Sequence, residues 1–215
     1  MKIKISLASF LLLLCFSGFA QFEAAKQTYS APNLKTEIEK QKTVAILPFG
    51  VSIVYKRVPK NYDSTANKNE EQSLITNLQS SMFTYLLRKS EKYSVTFQDP
   101  TRTNALLKSK GVYNQLDLLT QDSICKVLGV DAVIKCNYDY EKTASESGAI
   151  VKTVLLGSMG SKTGSGALTM QIYNAADGNL LWRFYKAMND NVFSSTDELM
   201  TRMMKKVARN FPYEK

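Results

Sequence analysis

The spacing of apolar residues changes period several times along the chain, and each change marks an element. Thr43-Val-Ala-Ile-Leu-Pro-Phe-Gly50 is a short apolar run closed by Pro and Gly, which predicts a buried strand better than a helix. Residues 51–69 carry Pro59 and a polar cluster of Lys, Asn, Asp and Ser, and read as a long loop. From Glu70 the period changes: Leu74, Leu78, Met82, Tyr85 and Leu86 recur at steps of three and four, predicting a helix with Glu70 and Glu71 in its first turn. Tyr93 to Gln98 alternates apolar and polar residues as a strand does, and Asp99-Pro100 stops it and opens a helix through Leu106 and Leu107 to Gly111.

Farther along, Thr120 is an N-cap for a short helix carrying Ile124, Val127 and Leu128 and ending at Gly129. Val130 to Tyr140 sets Val130, Ala132, Ile134, Cys136 and Tyr138 against Asp131, Lys135, Asn137 and Asp139, a strand with one buried face. Ala167 to Tyr173 and Leu180 to Met188 flank Asn174-Ala-Ala-Asp-Gly178, the clearest hairpin signal in the chain. A closing helix starts at Ser195 or Thr196 and presents Leu199, Met200, Met203, Met204, Val207 and Ala208, with methionine as core filler. The pattern predicts an α/β (α+β) fold, with a mixed central sheet of about five strands flanked by helices.

The N-terminus follows a different rule. Lys2 and Lys4 precede an apolar stretch from Ile5 to Phe16, and Gly18 and Ala20 stand three residues and one residue before a cut at Gln21. Residues 1–20 therefore read as a cleavable signal peptide, which predicts export to the periplasm or beyond, with outer-membrane association as a variant. Cys15 would be acylated in a lipoprotein, but Leu14 occupies the place of the small residue that a lipobox requires before its cysteine. Residues 21–42 read as a polar lead-in with a loose helix over Leu34 to Gln41, and residues 43–215 as one α/β domain with a Gly/Ser-rich insertion at 143–166.

Charge and composition narrow the chemistry. The formal charge of +9 falls to +7 once Lys2 and Lys4 leave with the signal, and its basic residues are dispersed among acids, which argues against nucleic-acid binding. The chain contains no histidine, so the commonest general base and the ordinary Ser-His-Asp and Cys-His arrangements are excluded. Cys125 is expected on a helix and Cys136 on the following strand; layers about 10 Å apart rarely bring Cα atoms within the bridging range of roughly 4.4 to 6.8 Å, so two buried thiols are expected.

Several motifs fail on inspection. Gly157-Ser-Met-Gly-Ser-Lys-Thr163 has Ser161 where a phosphate-cradling loop needs Gly before its Lys, and a strand follows it where that loop needs a helix. Asp131, Asp139, Glu141 and Asp177 fall at strand ends and in turns, where capping is their ordinary role. Trp182, Phe184 and Tyr185 could stack on a ligand, although burial in the sheet core is the commoner fate of such residues. Ala149 to Met159 is apolar for about the length of a transmembrane β-strand, which makes Val151, Val154, Leu155, Leu156 and Met159 a candidate membrane or partner hairpin. The poor alternation of that stretch favours a hairpin packed on the domain. No catalytic residue, cofactor site or metal site is predicted.

Three segments carry a family resemblance. Val-Ala-Ile-Leu-Pro-Phe at 44–49, Leu-Gly-Val-Asp-Ala-Val-Ile at 128–134 and Met-Gln-Ile-Tyr-Asn-Ala-Ala-Asp-Gly-Asn-Leu-Leu-Trp at 170–182, in this order of elements, resemble the periplasmic domain of the CsgG curli-export family. They also look like the N-terminal domain of TolB and the lipoprotein activators of penicillin-binding proteins. The resemblance implies a non-enzymatic envelope protein that binds a protein partner or self-associates, with no small-molecule substrate. Its alternative is a CsgG-like oligomeric secretion-channel subunit, but the channel proteins resemble a pattern with two membrane hairpins, and this chain offers at most one. A hydrolase with histidine-free chemistry is the remaining alternative.

Overall fold

The computed structural model describes residues 26–60, 62–142, 164–188 and 196–215. The strands are β1 (Lys26–Ser30), β2 (Thr43–Ile46), β3 (Gly50–Tyr55), β4 (Thr96–Gln98), β5 (Ala132–Lys142), β6 (Gly164–Asn174) and β7 (Leu180–Met188). The helices are α1 (Leu34–Lys40), α2 (Ser64–Leu87), α3 (Pro100–Ser109), α4 (Gln121–Leu128) and α5 (Thr196–Val207). The strands form one mixed sheet in the order β1-β7-β6-β5-β2-β4, and β3 also pairs with β5. The expected α/β class is therefore the observed one, with β1 and β3 added to the five expected strands.

The long strand β5 organises the sheet. Its first residues pair in parallel with β2, Val44 opposite Ala132, and its later ones in parallel with β3, Gly50 opposite Asn137. The chain thus runs up one side of β5, steps aside at Leu47-Pro48-Phe49 and rejoins the same side as β3; the Leu47 amide still donates to the Ile134 carbonyl at 3.0 Å. On its other side β5 pairs with β6 in antiparallel register over eleven positions, and β7 and β1 continue the sheet.

The expected loop at 51–69 is thereby corrected at both ends. Its first residues are β3, and α2 begins at Ser64, six residues before the apolar spacing becomes visible. Polar contacts hold this early turn. Asp63 Oδ1 caps the helix by accepting from the amides of Thr65 and Ala66, at 2.8 and 3.1 Å. Asn67 Nδ2 donates to the Ile53 carbonyl at 3.1 Å, Glu71 Oε1 accepts from the Ile53 amide at 2.8 Å, and Lys142 Nζ reaches Glu70 at 2.7 Å. A helix start anchored by hydrogen bonds leaves no hydrophobic signature in its sequence.

Two cores lie on opposite faces of the sheet. Under α2 and α5, Ile46, Leu78, Met82, Ile134, Met170, Trp182, Phe184 and Met203 pack into the larger core. Under α3 and α4, Ala45, Leu47, Leu107, Ile124, Leu128 and Val133 form the smaller one. Each fully buried large apolar side chain contributes about 1.5–3 kcal/mol. The two cysteines are divided between these layers, Cys136 in the larger core and Cys125 in the smaller, and both are free buried thiols, as expected.

The end of the chain is part of the core. Phe211 and Tyr213 are buried beside Tyr93, Phe97 and Trp182 in an edge-to-face aromatic cluster. The Tyr213 hydroxyl donates to Gln41 Oε1 at 2.6 Å, and the Ser94 amide donates to the Tyr213 carbonyl at 2.9 Å. The expected signal peptide at 1–20, Cys15, the phosphate-loop lookalike at 157–163 and the expected hairpin residues Val151, Val154, Leu155, Leu156 and Met159 lie outside the described residues.

Candidate functional site

Helices α3 and α4 cover the β4, β2 and early β5 part of their face of the sheet and reach the end of β6 at Tyr173. Beyond Val133 the described covering is the turn of 3-10 helix at Leu116–Leu118, whose Asp117 reaches Lys135, and the alternation of strand side chains lays polar and aromatic residues across the rest in rows. The first row is Tyr29, Arg183, Gln171 and Lys135. Next come Gln27, Tyr185, Thr169, Asn137 and Gly50, then Ala187, Ala167, Asp139 and Ser52, and last Ser165, Glu141 and Val54. Tyr29 is 48% exposed and Val54 52%, and most of the others are half-buried.

The rows give the face an electrical direction. Its first row carries Arg183 and Lys135 and no acid, and its last two rows carry Asp139 and Glu141 and no base. Arg183 lies over the ring of Tyr185, 5.9 Å from its centroid, so the guanidinium stays on this face. Lys135 is partly offset by Asp117, whose carboxylate lies 2.6 Å away but is itself 87% exposed, which limits the pair to well under 1 kcal/mol.

At the corner of the face, the step at Leu47-Pro48-Phe49 opens a cleft of about 620 Å³. Its floor is Lys135, Asn137 and Asp139 of β5, and its far wall is Tyr113, Asn114 and Asp117 from the connection between α3 and α4. The cleft occupies the place where an α/β sheet opens, since β4 and β5 flank β2 with their connecting helices on opposite faces. Gly50 keeps its floor open: a Cβ there would stand 2.7 Å from Asn137 Oδ1. Gln121 Oε1 lines the cleft, buried and with no hydrogen-bond partner. Burial raises the Tyr113 phenol above its ordinary pKa, so it remains a hydrogen-bond donor across the usual pH range. These groups suit noncovalent binding of a polar surface.

The carboxylates singled out by sequence have separate roles. Asp131 Oδ2 accepts from the amides of Lys42 and Thr43 at 2.8 and 2.9 Å, and Asp177 holds the β6–β7 turn by accepting from the Asn179 amide at 3.0 Å. That backbone hydrogen bond depresses the Asp177 pKa. Asp139 and Glu141 share the open face. Trp182 and Phe184 are buried in the core, whereas Tyr185 points to the opposite side, on the open face. The polar half of the β5 alternation was visible in the sequence; its extension across β6, β7 and β1 needed the strand registers. Among the described residues no three His, Cys, Asp or Glu side chains gather as a metal site, and no helix is long and apolar enough to cross a membrane.

No family model and no curated protein matches the chain. Among solved structures, it is similar to a lipoprotein from Neisseria meningitidis, at 11% identity over 79% of this chain and 99% of that one, with a TM-score of 0.45. It is also similar to a PelC dodecamer from Paraburkholderia phytofirmans, at 11% identity over 89% and 97% of the two chains, TM-score 0.38. A third is the C-terminal domain of LpoB from Salmonella enterica, at 11% identity over 73% and 96%, TM-score 0.34.

Proposed function

We propose that this chain is an exported, non-enzymatic assembly protein of the bacterial cell envelope that pairs with a second copy of itself through the open sheet face. The observation that carries the reading is the polarity of that face, basic at the Arg183 and Lys135 row and acidic at the Asp139 and Glu141 rows. A twofold axis through the intervening Tyr185, Thr169 and Asn137 row would bring the basic end of each copy over the acidic end of the other, which is the self-complementarity an isologous interface requires. Five strands about 4.8 Å apart give a plan area on the order of 500 Å², and side-chain relief raises this toward the ~800 Å² per partner of a standard interface. Tyr29, Tyr185 and Arg183 are residue types enriched where proteins meet. Export rests on Lys2, Lys4, the apolar stretch to Phe16 and the small residues Gly18 and Ala20.

Sedimentation equilibrium tests this reading. The protein is expected to sediment as a dimer, Arg183→Glu and Asp139→Lys are each expected to shift it to monomer, and mixing the two variants is expected to restore a heterodimer. A wild-type protein that stays monomeric at high concentration, or variants that dimerise as before, would sink it.

A further inference from the structure

Strand β3 has β5 on one side and, among the described residues, no strand on the other. A neighbour there would lie in line with β4, which pairs with β2 only as far as Gln98 opposite Ala45 before Asp99-Pro100 turns the chain into α3. Side chains of α2 stand in for the missing strand at two places. Gln79 donates to the Ile46 carbonyl at 2.8 Å; at Ile53, Glu71 accepts from the amide at 2.8 Å and Asn67 donates to the carbonyl at 3.1 Å. Between these two places lies Val51. The Lys56 amide donates to the Lys142 carbonyl of β5, so the even-numbered residues of β3 face β5 in this parallel pair. Val51, like Ile53, therefore turns its N–H and C=O outward.

The α2 side chain that comes level with Val51 is Ile75. It stands four residues, about 6 Å, along the helix from Glu71, while Val51 stands two residues, about 6.6 Å, along the strand from Ile53. An isoleucine side chain cannot bond to either backbone group, and no described group pairs with them. Val51 and Ile75 both line the cleft of about 620 Å³, and from the α4 side Gln121 brings a buried Oε1 that also has no hydrogen-bond partner. We propose that this cleft binds an extended peptide of a partner protein, which adds a short strand to the outer edge of β3 at Val51.

A peptide backbone offers an acceptor for the Val51 amide and a donor for its carbonyl at strand spacing, with further N–H groups for Gln121 Oε1. Side-chain alternation then sets the sequence it carries. The residue opposite Val51 points toward Ile75 and is apolar; its neighbours point to the open-face side, where Asp139 stands opposite Ser52. Lys135 and Asp117 form an ion pair at 2.6 Å, so the charge left over in the lining is the exposed Asp139. The segment that fits has an apolar residue next to Lys or Arg. The strand pairing uses the edge of β3 and does not rest on self-association, although Asp139 serves both.

The test selects binders from a displayed random heptapeptide library on the wild-type protein and on Arg183→Glu, which changes the open face at β7 outside the cleft. Enriched peptides are expected to share an apolar residue next to a basic one and to bind both proteins alike. N-methylation, walked along a synthetic copy one amide at a time, is expected to weaken binding about tenfold or more at the amide that meets the Val51 carbonyl. Val51→Pro removes an outward N–H from an edge and is expected to weaken the peptide similarly. Gln121→Leu removes an acceptor without a partner in the free protein, so binding should fall while the thermal midpoint stays level or rises. A merely structural role would lower the midpoint and spare binding. No enrichment over a selection without protein, binding that survives every N-methylation, or binding unchanged in Gln121→Leu or in a folded Val51→Pro protein overturns the inference. Binding lost in Arg183→Glu would place the peptide on the paired faces and overturn it too. Sedimentation reads self-association separately, so either reading can fail alone.

Discussion

Gln79 lies fully buried in the middle of α2, and its position answers a vacancy in the sheet. The Lys42 carbonyl accepts from the Thr96 amide at 2.8 Å, and in the parallel register successive donors along β4 arrive two residues apart. In step with that ladder, the donor due at the Ile46 carbonyl would be residue 100, a proline with no N–H. Gln79 Nε2 donates there at 2.8 Å, while its Oε1 accepts from Asn104 at 2.9 Å. Gln79→Leu keeps the volume and removes both, and should cost about 1–3 kcal/mol by leaving a buried carbonyl unsatisfied, measured by urea denaturation. Gly50→Ala should behave differently. Its new Cβ meets only the terminal atoms of Asn137, which can turn toward the cleft, so stability should change by less than about 1 kcal/mol while self-association weakens. A stability loss with pairing unchanged would show that Gly50 serves the sheet and not the face.

The contribution of the C-terminal tail is clearest among the elements. Phe211 and Tyr213 carry no periodicity, because they follow the last helix as an irregular tail, yet they close the larger core at its edge beside Tyr93 and Phe97. Ending the chain at Asn210 would uncover both rings and leave Gln41 Oε1, buried in the same layer, without its 2.6 Å donor. The expected loss is about 4 kcal/mol or more, enough to unfold many domains, and a truncated protein with an unchanged denaturation midpoint would refute it. Elements that bury a periodic apolar face, such as the later turns of α2, β5, the β6–β7 hairpin and α5, were legible from spacing alone. Those held by hydrogen bonds were not: β1 is exposed at every residue and is recruited by pairing with β7, and the start of α2 depends on Asp63, Asn67 and Glu71. The candidate site was half legible for the same reason. The polar side of β5 could be read from its alternation, but which strands extend it is a matter of register.

At the scale of the whole molecule, both cores share one sheet, so neither can open without disturbing the other. The ionisable groups buried on the two sides give a way to test this. Burial pushes the Cys125 thiol up to about 12, assisted by the nearby charges of Asp122 and Asp131, and it lies in the smaller core. In the larger core burial also raises the Cys136 thiol and the Tyr213 phenol and lifts Tyr93 to about 12. Each group is held neutral in the folded state and deprotonates more readily when unfolded. The folded state therefore binds more protons than the unfolded one above the ordinary thiol and phenol values of 9.0 and 10.0, and stability must fall as pH rises. The stabilising contribution is complete below pH about 9 and declines from there toward about 12. Denaturation midpoints measured across that range should fall steadily. Because the groups divide between the two faces, alkylation of Cys125, followed by peptide mass spectrometry, should appear in the same transition as tyrosinate absorbance from Tyr93 and Tyr213. Labelling of Cys125 well before tyrosine ionisation would mean that the α3–α4 layer opens alone, and the sheet would then couple its two cores less tightly than their shared strands imply.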